Sequence, residues 1–451
     1  DHLKETKLRS VLKSICPHCK IFSIPKGKGP VDAVSKIFNM IDDEKEVIVS
    51  YCDYGTKWDF NKFIDDVRKY NADGSIACYR GFHPHMLINN SYAFCLEKKM
   101  NLIEIKEKES FTNNKMGEWA SNGTYYFKSG RIVKKYFTML MDMEMEVNGE
   151  YYVSLVYNLL VKDGLSVRIF EIENMLQWGT PYDLEVYKGW SKYFSNIKKV
   201  ENNHSIDNNV TLVLPMAGRG SRFTSEGYLL PKPLIDVDGH PMVIKAVNCL
   251  PKINKSVFIC LKEHVDSFKV VSINGISNGQ AHTCEIGINE SGINLDDPIL
   301  ISTCDNGVTY NLEEYNNMVN DAENDIIVWT FRNNQSSKMN PNMYAWLDVD
   351  ENNFIKHVSC KNFIYDDPLK THAIIGTMYF RKAKYFIEGL KKNYEENIKT
   401  NGEFYVDDVI NQNIKSGLKV KVFEVENYIC WGTPDDYNTY KYWKKFFNKN
   451  D

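Results

Sequence analysis

The segment Gly218-Arg219-Gly220-Ser221-Arg222-Phe223 has the residue types that hold a phosphate chain. Two glycines let the backbone turn tightly and bring its N–H groups near phosphate oxygens. Arg222 can add a bidentate, charge-assisted contact. Pro231-Lys232-Pro233 supplies a further cation a few residues on. The loop is neither GxxxxGK(S/T) nor GxGxxG, because the third glycine is missing.

These residues need elements to hold them. Thr211–Pro215 predicts an apolar strand that runs straight into the glycine loop. A helix is expected near Met242–Leu250, with strands at Lys255–Leu261, Pro298–Thr303 and Asp325–Arg332. Apolar strands alternating with helical segments predict an α/β fold, with a mostly parallel sheet covered on both faces. Ligands of such sheets sit beyond the carboxyl ends of the strands. The glycine loop and Asp305 both fall at such ends.

The chain also repeats itself. Asn148-Gly149-Glu150 recurs as Asn401-Gly402-Glu403, and Trp178-Gly179-Thr180-Pro181 as Trp431-Gly432-Thr433-Pro434, each 253 positions later (148 to 401, 178 to 431). Between Asn148–Phe194 and Asn401–Phe447, 25 of 47 positions are identical without a gap. So long a period means two copies of a whole domain rather than a solenoid. The expected domains are 1–198 and 208–451, joined by the polar stretch Ser195–Asn209. Val210–Ile259 has no counterpart in the first copy, so that copy reads as truncated at its N-terminus by about fifty residues.

Leu214–Phe223 followed by Pro231-Lys232-Pro233-Leu234 resembles the signature of the sugar-phosphate nucleotidyltransferases, the nucleoside-diphosphate-sugar pyrophosphorylases. The Gly-Glu-(Phe/Tyr)-Tyr-Val and Trp-Gly-Thr-Pro segments are similar to those of bacterial capsule and surface-polysaccharide members. The resemblance implies two tandem Rossmann-like (GT-A-like) domains. It also implies transfer of a nucleotidyl group from CTP, UTP or dTTP to a sugar 1-phosphate or similar acceptor, with release of pyrophosphate and with Mg²⁺ as cofactor. Ala217, Gly218, Arg219, Gly220 and Ser221 would hold the triphosphate, with Arg222 on the leaving pyrophosphate and Lys232 near the reaction centre. Gly279 and Gln280 would meet the base. Lys361 would hold the acceptor phosphate and Glu403 its hydroxyls, with Lys108 and Glu150 their counterparts in the first copy. Asp305 and Asp53 would bind the metal. Two positions depart from the family. Its Glu-Lys pair is Cys360-Lys361 here, and its second metal aspartate falls at Cys430, leaving Asp407, Asp408 or Asp435 as substitutes.

Composition narrows the alternatives. With 55 Lys+Arg against 59 Asp+Glu, the net charge of −4 argues against a general nucleic-acid binder. No apolar run approaches the roughly 20 residues that span a bilayer. Eleven scattered cysteines suggest a reducing cytoplasm rather than a disulfide framework. Cys16-Pro17-His18-Cys19 reads as an ordinary loop, Trp178 and Trp431 as packing, and Glu171/Glu173 and Glu424/Glu426 as solvent-facing. Two other classes compete with the transferase reading. One is a non-catalytic nucleotide-sugar sensor or scaffold. The other is a glycosyltransferase, which would want an Asp-x-Asp motif that Cys304-Asp305-Asn306 does not supply.

Overall fold

The computed structural model describes residues 5–88, 91–197, 209–262, 270–273, 275 and 277–448. They fall into two compact units, Asp1–Leu184 and Glu185–Asp451. The expected linker Ser195–Asn209 is helical as far as Ile197, and 198–208 lie outside the described residues.

In the first unit, α1 (Leu8–Ile15) and α2 (Pro30–Ser35) precede β1 (Val47–Ser50), β2 (Tyr54–Lys57) and α3 (Phe60–Lys69). Then come β3 (Gly74–Tyr79), the hairpin β4 (Ala93–Lys98) and β5 (Asn101–Glu107), and β6 (Trp119–Phe127). α4 (Gly130–Asp142), α5 (Val153–Lys162), β7 (Val167–Glu171), β8 (Asn174–Gln177) and α6 (Pro181–Ile197) follow, the last running past the unit boundary. The sheet order is β1-β6-β3-β7-β5-β4, and β2 pairs with β8 in a separate ribbon.

The second unit opens with β9 (Thr211–Met216), the glycine loop and α7 (Ser221–Ser225). A small hairpin, β10 (Asp236–Val237) and β11 (His240–Pro241), leads to α8 (Met242–Asn248). β12 (Lys255–Leu261), β13 (Val270–Ile273), α9 (Gln280–Glu290), β14 (Ile299–Ile301), β15 (Asn306–Thr309) and α10 (Leu312–Asn320) come next. They are followed by β16 (Ile326–Phe331), α11 (Ser336–Met339), the hairpin β17 (Ala345–Val349) and β18 (Ile355–Cys360), and β19 (His372–Phe380). The chain closes with α12 (Ala383–Glu395), α13 (Val406–Lys415), β20 (Val420–Glu424), β21 (Asn427–Cys430) and α14 (Pro434–Asn448). The repeat also relates the elements: β6 to β19, β7 to β20 and α5 to α13 at the same offset of 253, and β1 to β14 at 252 by their pairing with β6 and β19.

Neither sheet is mostly parallel, which corrects the expectation. In the second unit, β13, β12, β9 and β14 run parallel to one another. β19 then runs antiparallel between β14 and β16. No strand was expected at His372–Phe380, and its insertion turns a parallel sheet into a mixed one. In the first unit, β3 with β7 is the one parallel pairing among the described residues. The reason is positional. The parallel block of the second unit consists of β14 and the three strands laid beside it. β1, the counterpart of β14, stands at the sheet edge with nothing of that kind beside it among the described residues.

Burial follows from this. Ile299, Leu300 and Ile301 of β14 are buried on both faces, whereas Val47–Ser50 alternates between half-buried and exposed. Each Leu, Ile or Val side chain taken fully from water contributes roughly 1.5–3 kcal/mol, so the interior strands anchor the second unit. Helices α9, α12 and α13 put Ala281, Phe386 and Val409 into one core layer. Trp329 and Trp346 lie in the other. No helix among the described residues is long and apolar enough to cross a membrane, and all eleven cysteines are free thiols.

Candidate active site

The glycine loop leaves the carboxyl end of β9. Gly220 has φ 63°, in the left-handed region that favours glycine. A Cβ there would stand 3.0 Å from the Lys232 Cβ, so the missing side chain also lets Lys232 close on the loop. Gly218 meets nothing within 4 Å and faces open space. Ala217 is buried, while Arg219, Ser221 and Arg222 are exposed at the start of α7.

Lys232 Nζ donates to Asp305 Oδ2, closing an ion pair across 73 residues of chain. Burial works against the Lys232 charge, but Asp305 outweighs it and the ammonium is held above its ordinary range. Burial likewise pushes the Asp305 carboxyl up, and Lys232 outweighs this and holds it below the usual range. Arg222 contributes to Asp305 at longer reach. The backbone of Asp305 is pinned by the Trp431 N–H, which donates to its carbonyl at 2.8 Å. A Cβ on Gly432 would stand 3.2 Å from Asp305 Oδ2 and 3.3 Å from Cys430 Sγ. The Trp-Gly-Thr-Pro motif thus does two jobs. Its tryptophan is buried against Gly307, and its glycine makes room for the aspartate.

At the position expected to face the acceptor, Lys361 directly follows β18 with φ 53°. Its N–H donates to the Tyr344 carbonyl at 3.1 Å and its ammonium to the Met343 carbonyl. The ammonium lies 5.7 Å over the Tyr405 ring. Lys108 repeats this just past the end of β5, with φ 59°, an N–H bond to the Tyr92 carbonyl at 2.9 Å and its ammonium 4.5 Å over Tyr152. Tyr152 in turn donates to Glu150. Glu150 and Glu403 are both exposed.

Gly279 has φ 118°, and a Cβ there would fall 2.6 Å from the backbone N and O of Phe404. Gly29 has φ 92° and meets Tyr151 N at 2.9 Å in the same way. In each unit a glycine lets the turn before the helix lie flat on the Gly-Glu-(Phe/Tyr) segment. Gln280 follows at the start of α9, half-buried.

No protein-family model matches the chain, and no curated protein does. Solved structures do. A nucleoside-diphosphate-sugar pyrophosphorylase from Vibrio cholerae RC9 is 19% identical, over 50% of this chain and 98% of that one, with a TM-score of 0.40. An inositol-1-phosphate CTP transferase from T. maritima is 15% identical, over 54% and 98%, also with a TM-score of 0.40.

The residues expected to work together divide into two groups. Gly220, Lys232 and Asp305 meet, with Arg222 in electrostatic reach. Lys361 sits with Tyr405 and, unexpectedly, with Asp407, whose Oδ2 lies 3.9 Å from Cys360 Sγ. Asp408 turns to the Thr400 hydroxyl at 2.8 Å. In the first unit Asp53 is exposed, and no ion pair is found at it among the described residues.

Asp436 was missed. Burial raises its carboxyl pKa, it accepts from Cys430 Sγ at 3.4 Å, and its charge reaches Asp305. Its first duty is a helix cap: the Thr433 hydroxyl donates to its carboxylate at 2.6 Å and accepts from its N–H at 3.1 Å. Thr180 and Asp183 do the same in the first unit. The Thr-x-x-Asp spacing, present in both copies, is the sequence signal for it. Burial also keeps the Cys430 thiol protonated.

Among the described residues no group of three His, Cys, Asp or Glu could hold a metal ion by itself. A single strand-end carboxylate fits a Mg²⁺ that takes its remaining ligands from water and substrate phosphates.

The Glu424/Glu426 expectation needs one correction. Glu424 accepts two bonds from Arg332, at 3.0 and 2.5 Å, because strand β20 pairs in register with β16. Glu171 meets Arg80 at 4.0 Å.

Proposed function

We propose that the second unit transfers a nucleotidyl group from a nucleoside triphosphate to a phosphorylated, sugar-like acceptor. An acceptor phosphate oxygen attacks the α-phosphorus, the bond to the β-phosphate breaks, and pyrophosphate leaves. The nucleophile is already ionised near neutral pH, so positioning and charge compensation are the protein's main tasks.

One observation carries this reading: Gly220 and Lys232, neighbours in one motif, converge with Asp305, 73 residues beyond Lys232, at the carboxyl ends of β9 and β14. The glycine loop and Arg222 would cradle the triphosphate. Lys232 would release Asp305 and turn to the phosphates when they arrive. Gly279 and Gln280 would lie against the base. Lys361 and Glu403 would hold the acceptor. Asp305 would hold Mg²⁺, which offsets the charge gathering on the phosphates, and Asp53 is the matching position in the first unit. The eleven free thiols suit a reducing cytoplasm, and the chemistry suits supply of an activated sugar for a surface glycan.

The experiment is a pyrophosphate-release screen of the whole chain with CTP, UTP, dTTP, GTP and ATP plus Mg²⁺, against sugar 1-phosphates and small phosphorylated metabolites. One productive pair is expected. Triphosphate binding with no release across the panel would favour the sensor reading instead.

A further inference from the structure

At the end of β18 in the second unit stands Cys360, and opposite it, second residue of α13, stands Asp407. At the end of β5 in the first unit stands Glu107, and opposite it, second residue of α5, stands Ser154. These are the same two positions, 253 residues apart (107 to 360, 154 to 407). In the first unit the strand brings the acid, and the Ser154 hydroxyl donates to Glu107 Oε2 at 2.6 Å. In the second the helix brings the acid, and the Cys360 thiol faces Asp407 Oδ2 at 3.9 Å. Both acids are half-buried, and each feels the charge of the lysine that follows the strand, Lys108 or Lys361.

We propose that Asp407 is the positioning carboxylate of Lys361, and that Glu107 plays the same part for Lys108 from the strand. Each unit then keeps one acid and one short donor at this junction, in opposite order. Two acids would repel across a half-buried gap, and none would leave the lysine without its anchoring charge. The Tyr405 ring and the Met343 carbonyl hold the rest of Lys361. Asp407 is therefore assigned to the acceptor lysine and not to a metal. The part that concerns acceptor binding rests on the function proposed above.

The test is an exchange cycle on the full chain: Cys360→Glu, Asp407→Ser, and both together, with Lys361→Ala as reference. Thermal unfolding is measured with and without inorganic phosphate, and acceptor KM and kcat are measured where turnover is found. Cys360→Glu should lower the unfolding temperature strongly in the parent chain and much less in the Asp407→Ser background. The stabilisation by phosphate that Lys361→Ala removes should vanish in Asp407→Ser and return in the exchanged pair. Acceptor KM should rise roughly tenfold in Asp407→Ser with kcat changed far less, and recover in the pair. Asp407→Asn, which keeps the shape, should behave as Asp407→Ser if the latter fails to fold.

Equal cost of Cys360→Glu in both backgrounds would overturn the exchange. Full phosphate stabilisation in Asp407→Asn would overturn the role of its charge. If the unfolding cycle is coupled but no acceptor is ever used, the proposed function fails and the pairing stands. If turnover is sound and the effects simply add, the pairing fails and the function stands.

Discussion

The two strand-end aspartates share a register and differ in company. Asp305 is half-buried and paired with Lys232, whereas Asp53 is exposed. Around both, the Trp-Gly-Thr-Pro motif is the same: Trp431 and Trp178 donate their N–H to the aspartate carbonyls at 2.8 and 3.0 Å. Lys361 and Lys108 are alike too, each left-handed and over a tyrosine ring, although the acid beside them comes from the helix in one unit and from the strand in the other. What the first unit lacks, among the described residues, is the block from β9 to β13 with its loop and Lys232. On the function proposed above, the second unit carries both a nucleotide half and an acceptor half, and only the acceptor half is described in the first.

The largest expected effect breaks or keeps this comparison outright. Asp305→Ala or Arg222→Ala should lower pyrophosphate release by about 10²–10³-fold, the loss typical of one electrostatic contact in a preorganised site. Asp53→Ala should leave the rate of the same reaction within about twofold, as expected for an exposed position outside the second unit. Comparable losses in both would show that the first unit takes part.

Next come the turn glycines, where the units should behave alike. Gly279→Ala and Gly29→Ala each force a side chain into the left-handed region, at about 1–2 kcal/mol, and against backbone atoms as well. Urea unfolding should show a loss of at least that size for both. A neutral result in one unit only would mean that its turn can relax.

A pH effect sharpens the acceptor side. Burial pushes the Asp407 carboxyl up to about 6 against an ordinary 3.8. The folded state therefore holds more protons between those values, and stability present below about pH 4 is lost as pH rises through 6. Asp407→Asn should flatten this slope and leave the protein about 2 kcal/mol more stable than the parent at pH 7, while weakening phosphate binding. Stability curves for the two that stay parallel from pH 4 to 7 would contradict the burial of this acid.

The smallest effect is at the surface. Arg332→Ala removes a two-pronged contact to Glu424 and should cost up to about 1 kcal/mol, while Arg80→Ala, at 4.0 Å from Glu171, should cost close to none from that pair. Denaturant midpoints for the two variants make the comparison.

The glycine loop and Lys232 were legible as one continuous motif, and Asp305 as the residue that ends a predicted strand. The strand directions were not. The apolar run of His372–Phe380 carries no mark of orientation, and only three-dimensional pairing reveals that it runs against β14 and β16. The role of Asp407 was hidden for a similar reason. It faces Cys360 across 47 residues, so the acid absent from the strand could be found only once α13 was set against β18. Asp436 was within reach, since its Thr-x-x-Asp spacing occurs in both copies, but as a cap.

The central claim is that Gly220, Lys232 and Asp305 form the working nucleotide site. Pyrophosphate release by the whole chain, measured for the parent and for Lys232→Ala at saturating triphosphate, Mg²⁺ and acceptor, tests it most directly. Turnover in the parent and a loss of about 10²-fold or more in the variant is the predicted result. Unchanged turnover in Lys232→Ala would place the chemistry elsewhere in the chain.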